Sequence, residues 1–221
     1  MNDRVAILEA IARESQRGIY KRKSDDQMHN RGLYDNPLSE YAKLGYRSVM
    51  RFDFERYVRT VDRRPLIIAD IGCGMGRFLH DLKEIDNSIE VFGIDHFLYD
   101  GYISPSHFIV GEMSNEDHTA NFLDNLPEYV FDIVTSANCL EPLSVEIGKT
   151  QIKQVNRVVS REGFAMIQIP DCFWNKKIFY AVSKEGVRMS HRRVEHLEYM
   201  ESPSRIITIT GPNFSESRLM E

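Results

Sequence analysis

Apolar and polar positions follow two textures along the chain. Up to residue 64 they repeat at helical spacing, and from residue 65 short apolar runs alternate with helical stretches. Over residues 3–16, Val5, Leu8, Ile11 and Ala12 share one face among acids and arginines, which predicts a first helix that Gly18 ends. Residues 18–37 are polar, carry Gly32 and Asn36-Pro37, and read as a loop. Ser39 can cap a second helix over 40–60, whose spacing is imperfect at Gly45.

Residues 65–71 form an apolar run into glycines, the pattern of a buried parallel strand ending in a turn. Phe78, Leu79, Leu82 and Ile85 then predict a helix over 77–86. Further strands are predicted at 89–94, 107–110, 129–136 and 164–169, with helices at 117–126, 145–160 and 173–183. Residues 194–200 and 205–210 alternate in polarity around Glu201 to Ser204 and read as an antiparallel hairpin. Five strands joined by helical crossovers imply an α/β domain, its parallel sheet covered on both faces through right-handed connections.

Composition adds bounds. A chain of 221 residues can bury one full core. Hydrophobic content of 42% and charged content of 28% are ordinary for a globular protein. No apolar run approaches the ~20 residues of a membrane helix, and the charged first 18 residues lack a signal-peptide core; the expectation is a cytoplasmic protein without membrane contact. Three cysteines without a C-x-x-C argue against a disulfide framework or a zinc ribbon, and no metal site is expected. Charge is uneven: residues 1–64 hold 14 Lys/Arg against 10 Asp/Glu, and residues 65–221 hold 14 against 23. A basic front segment therefore precedes an acidic body, as solvated helix faces or as a surface for an anionic partner.

The chemistry concentrates in 65–77. Asp70 is followed by Gly72, Gly74 and Gly76, giving D-x-G-x-G-x-G. A dinucleotide fingerprint, G-x-G-x-x-G, would need glycine where Arg77 stands. Glycines let a ligand approach the backbone, and the loop opens a helix whose N-terminus presents N–H groups. An acid beside the loop suits a ligand with a cationic amino group and a sulfonium, and would repel a pyrophosphate. Ligands of open parallel sheets lie beyond the carboxyl ends of the strands. Asp95 ends the second strand there, 19 residues after Gly76, and Glu112-Met113 follow the third.

This loop with Asp95 resembles the first motif of class I S-adenosylmethionine-dependent methyltransferases, and the resemblance spans about residues 65–210. It implies a Rossmann-like three-layer sandwich with a seven-stranded, mostly parallel sheet ordered 3-2-1-4-5-7-6. Residues 1–64 would form an N-terminal helical cap that contacts substrate, and residues 65–221 the methyltransferase domain. The implied cofactor is S-adenosyl-L-methionine. Asp70, Gly72, Cys73, Gly74 and Gly76 would surround its amino-acid end. Asp95, beside His96, would accept the ribose hydroxyls, and Glu112 and Met113 would meet adenine. Asn138, in the loop after the fourth strand, would face the methionine end.

Methyl transfer from a sulfonium needs alignment above all, with a general base where the nucleophile must lose a proton. Glu141 and His191 are the candidate bases; His196 reads as half-buried structure. His191 lies in Arg188-x-x-His191-Arg192-Arg193, a turn before the hairpin or a site for a substrate carboxylate or phosphate. Base-methylating relatives often carry Asn or Asp, two prolines and an aromatic after the fourth strand, where this chain has Ala137 to Pro142 without a proline pair. The acceptor favoured is therefore a small molecule, anionic on one reading, methylated at oxygen or nitrogen; RNA or protein is the alternative partner. A cofactor-binding module without turnover is the reading from another class. Cys73, Cys139 and Cys172 fall just past the first, fourth and fifth strands, so the topology can bring the three thiols to one cleft.

Overall fold

The computed structural model describes residues 3–17, 65–74, 76–95, 98, 102–111, 123–137, 139, 145–171, 176–194 and 204–215. The loop at 18–37, the helix expected at 40–60 and most of that expected at 117–126 lie outside the described residues.

Seven strands make one sheet in the order β3-β2-β1-β4-β5-β7-β6, as the resemblance implied. They are β1 (Ile67–Ile71), β2 (Glu90–Asp95), β3 (Phe108–Val110), β4 (Phe131–Ala137), β5 (Val159–Pro170), β6 (Arg188–Val194) and β7 (Ser204–Thr210). The first five pair in parallel, and β7 runs antiparallel between β5 and β6. The helices among the described residues are α1 (Asp3–Ser15), α2 (Arg77–Ile85), α3 (Val145–Val158) and α4 (Lys176–Lys184). A 3-10 turn at Pro105–His107 leads into β3.

Alternation along the strands separates two cores. Ile67, Ala69 and Ile71 point to one face, where Val5, Leu8 and Ala12 of α1 pack with Ile152 and Val155 of α3 and Val182 of α4. Leu66 and Ile68 point to the other, against Leu79 and Leu82 of α2 and Phe214. Each such buried Leu, Ile or Phe contributes roughly 1.5–3 kcal/mol. Strands apolar on both faces are what a sheet covered on both sides requires.

α1 is tied to this sandwich by polar contacts as well. Arg4 Nη1 lies 3.0 Å from Asp132 Oδ1, and Asp132 Oδ2 accepts from the Ile67 amide at 2.9 Å. Ser15 Oγ accepts from the Val110 amide at 2.9 Å, and Gln16 Nε2 donates to the Pro105 carbonyl at 2.7 Å. The helix thus reaches from the start of β4 to β3.

Two expectations need correction. The sixth strand was expected at 194–200; it is Arg188–Val194, paired with Ser204–Thr210. It can carry three arginines because it is the outermost strand, where charge costs little and discourages pairing with other chains. The fifth strand, expected at 164–169, begins directly after α3 at Val159. Its pairing with β4 shifts between Phe131 and Ile133, so residues 160–163 bulge. Gly163 permits this: a Cβ there would run into the Asp132 carbonyl and Ser160 Oγ.

Candidate functional site

The glycine loop leaves the carboxyl end of β1 and enters α2. Gly72, Gly74 and Gly76 have φ of +76°, +55° and +76°, a region that side chains rarely adopt. The loop turns back on β2. The amides of Gly72 and Cys73 donate to the Ile94 carbonyl at 2.8 and 3.3 Å, and that of Gly76 to Cys73 O at 2.9 Å. The Gly74 amide donates to Asp95 Oδ2 at 2.8 Å. These four amides are bonded within the protein.

Asp70 and Asp95, both 5% exposed, flank this loop. Alternation puts them on the α2 side of the sheet, with Ile68 and Val91. Thr135, directly across from Asp70 on β4, places Oγ1 2.8 Å from Asp70 Oδ1 and donates to it. A carboxylate offers about four acceptor positions, of which the Gly74 amide takes one at Asp95. The two acids also act on Cys73. Burial, then Asp95, Asp70 and Cys139, hold its thiol well above the ordinary range, so Cys73 is neutral at physiological pH. Its Sγ lies 3.5 Å from Gly74 O.

Small residues let neighbouring side chains pack against the loop backbone. An added Cβ at Gly72 would overlap the Cβ and Sγ of Cys139, the residue two past the end of β4. At Gly76 it would come within 2.8 Å of Ile103 Cγ1, and at Gly93 within 2.6 Å of Cys73 Sγ. Ile103 and Cys139 thus pack against the loop at Gly76 and Gly72. Neither Ile103 nor Thr135 was singled out in sequence. Thr135 carried a signal in its period-two alignment with Ile133, and Gly93 one as a glycine inside a strand, where backbone or ligand approaches closely. Ile103, in a loop, carried none.

Of the predicted residues, the structure brings together Asp70, Gly72, Cys73, Gly74, Gly76 and Asp95, with Cys139 beside them. His96, Glu112, Met113, Asn138 and Glu141 lie outside the described residues, as do Cys172 and His196. His191 is not in a turn before the hairpin but within β6. Four strand spacings of about 4.8 Å separate β6 from β1, so His191 stands roughly 19 Å from the loop. Among the described residues no group of three or more His, Cys, Asp and Glu is arranged to hold a metal ion, and no helix is long and apolar enough to cross a membrane.

No family model and no curated protein matches this sequence. Its fold has many solved counterparts. A SAM-dependent methyltransferase from Archaeoglobus fulgidus superposes with a TM-score of 0.52 at 14% identity, over 84% of this chain and all of its own. A phosphoethanolamine N-methyltransferase from Haemonchus contortus, solved with phosphomonomethylethanolamine and S-adenosylhomocysteine, reaches 0.51 at 10% identity, over 72% of this chain and 52% of its own. The [4+2]-cyclase SpnF also reaches 0.51, at 14% identity over 73% and 80%. The chain has the Rossmann-like fold of the class I S-adenosylmethionine-dependent methyltransferases. That fold also carries a cyclase, so the reaction has to be argued from the site.

Proposed function

We propose that this protein is an S-adenosylmethionine-dependent methyltransferase that acts on an oxygen or nitrogen of a small-molecule acceptor. One observation carries the reading: a loop of three left-handed glycines whose amides are bonded internally, one of them to Asp95, with Asp70 alongside. The two acids beside such a loop give a phosphate an unfavourable field. The arrangement suits a ligand with a positive amino-acid end and a hydroxylated ribose.

The residues fit that cofactor. At Gly72 and Gly76 the absence of a Cβ lets Cys139 and Ile103 pack against the loop backbone. Asp70, held by Thr135, and the glycines would take the amino-acid end, and Asp95 the ribose hydroxyls. Glu112, Met113 and His96 are assigned to the adenosyl part by resemblance, and Asn138 to the methionine end. When bound, the cofactor supplies a methyl group already activated on a sulfonium. The protein's own contribution is then alignment: fixed acids, a rigid loop and an apolar flank at Ile103 and Cys139 that limits water. Glu141 is the proposed general base, placed by its position after β4. The cytoplasm is the proposed location.

Calorimetric titration with S-adenosylmethionine, S-adenosylhomocysteine and NAD tests the reading. Saturable binding of the first two and none of NAD is expected; binding of NAD alone would overturn it. Screening acceptors then separates an enzyme from a binding module without turnover.

A further inference from the structure

The outer edge of β3 is closed by side chains at the end of α1. β3 is the outermost strand of the sheet among the described residues, so its outward N–H and C=O groups need partners other than a strand. In a strand such groups belong to alternate residues, here Phe108 and Val110. Ser15, the last residue of α1, accepts from the Val110 amide at 2.9 Å. Its own proton goes to the Ala12 carbonyl at 2.9 Å, which leaves its lone pairs facing the strand. Gln16 follows, and its side-chain amide has two hydrogens for two acceptors. It donates to the Phe108 carbonyl and, at 2.7 Å, to the Pro105 carbonyl. Earlier in the helix, Glu9 Oε1 lies 3.4 Å from His107 Nε2, and the His107 ring packs on Phe92 with centroids 4.7 Å apart. Two consecutive side chains thus stand where a neighbouring strand would.

What they hold in place is the end of β3 beside Asp95. The register pairs Val110 with Asp95, and the next amide, that of Gly111, donates to the Asp95 carbonyl at 3.0 Å. β3 has three residues, and a strand so short and peripheral opens at low free energy unless both its edges are bonded. β2 bonds the inner edge and α1 the outer one. The other end of α1 is held separately, by Arg4 on Asp132 at the start of β4, so the two ends of the helix can be perturbed one at a time.

We propose that Ser15 and Gln16 are positioning residues for the donor's adenosyl part: they keep the end of β3 in register with Asp95, and so couple the docking of α1 to binding of the nucleoside. The inference rests on the methyltransferase reading above, which assigns the adenosyl part to residues that follow β2 and β3. Coupling of this kind is reciprocal, so the ligand tightens the α1 contact by the factor with which the contact tightens the ligand.

The test is calorimetric titration of the full chain with S-adenosylhomocysteine and with S-inosylhomocysteine, which carries an oxygen in place of the adenine amino group. The wild type is compared with the Ser15→Ala, Gln16→Ala double variant and with Arg4→Ala. The wild type is expected to prefer the adenosyl compound. The double variant should bind it about fivefold more weakly or worse, and lose most of the preference. Arg4→Ala should lose stability, read from its urea midpoint, and keep the preference. Ser15→Thr retains the hydroxyl and should retain both affinity and preference. Circular dichroism checks each fold, and either single substitution carries the same test if the double variant does not fold. An unchanged preference in the double variant, or a wild type that does not tell the two compounds apart, would overturn the inference and leave the donor reading standing. A loss of preference in Arg4→Ala equal to that in the double variant would reduce Ser15 and Gln16 to general stability, and overturn it likewise. Failure of the wild type to bind S-adenosylhomocysteine at all would overturn the donor reading, and this inference with it.

Discussion

Gly72 carries two separable constraints. Its φ of +76° strains any side chain, and a Cβ would strike Cys139. Gly186 has φ +86° but nothing within 4 Å of its added Cβ, so it isolates the first constraint. Gly186→Ala is expected to cost about 1 kcal/mol and Gly72→Ala about 2–4, both read from urea midpoints. Equal losses would mean that Cys139 moves aside freely. Cys73 gives a pH signature. Its thiol keeps its proton in the fold above the ordinary value of about 8.5, where the unfolded chain releases it. The unfolded state then binds fewer protons, so stability falls as pH rises through that value and is untouched below it. Between about pH 7.5 and 9.5 the wild type should lose more stability than Cys73→Ala, since the shared titrations cancel in the comparison. At this scale the glycine pattern and Asp95 were legible, because loop chemistry is written in consecutive residues. The Thr135–Asp70 bond and the cover by Ile103 were not, because they depend on register and on a loop path.

Elements reveal a different limit. β1, β2 and β4 were legible as apolar runs because both faces are buried. β6 was not: Arg188, His191, Arg192 and Arg193 mask the alternation of an edge strand and imitate a turn. The bulge at 160–163 was hidden likewise, since Glu162-Gly163 reads as a turn into the fifth strand and serves instead as a kink within it. α1 was legible from its spacing, but its anchor was not. Asp132 is 1% exposed and receives both Arg4 and the Ile67 amide, so removing Arg4 leaves a buried carboxylate short of its cation. Arg4→Ala is expected to cost about 2–3 kcal/mol, discounted because Arg4 itself is partly exposed. Arg17, paired with Glu14 on the open surface, is the control: Arg17→Ala should stay within about 0.5 kcal/mol. Equal denaturation midpoints for the two variants would show that α1 is held by its apolar face alone.

At the scale of the molecule, the sheet order sets what can meet. β1 sits at the centre, where the crossovers diverge toward β2 on one side and β4 on the other, and this divergence opens the crevice that holds Asp70, the glycines and Asp95. The site is therefore framed by the ends of strands of the buried core and the glycine loop that β1 feeds, and it exists only in the folded chain. A ligand that binds there adds its binding free energy to stability. On the proposed reading, S-adenosylhomocysteine at about 100 times its dissociation constant should stabilise the protein by about 2.7 kcal/mol, and NAD should not. Asp95→Ala separates site from fold: it removes the carboxylate while leaving the seven-stranded sheet, so its own melting transition should persist as the S-adenosylhomocysteine increment disappears. Thermal unfolding of both proteins with and without ligand reads this directly. An increment that survives Asp95→Ala would take the ribose assignment away from Asp95, and equal increments from NAD would return the loop to the dinucleotide binders that its spacing argued against.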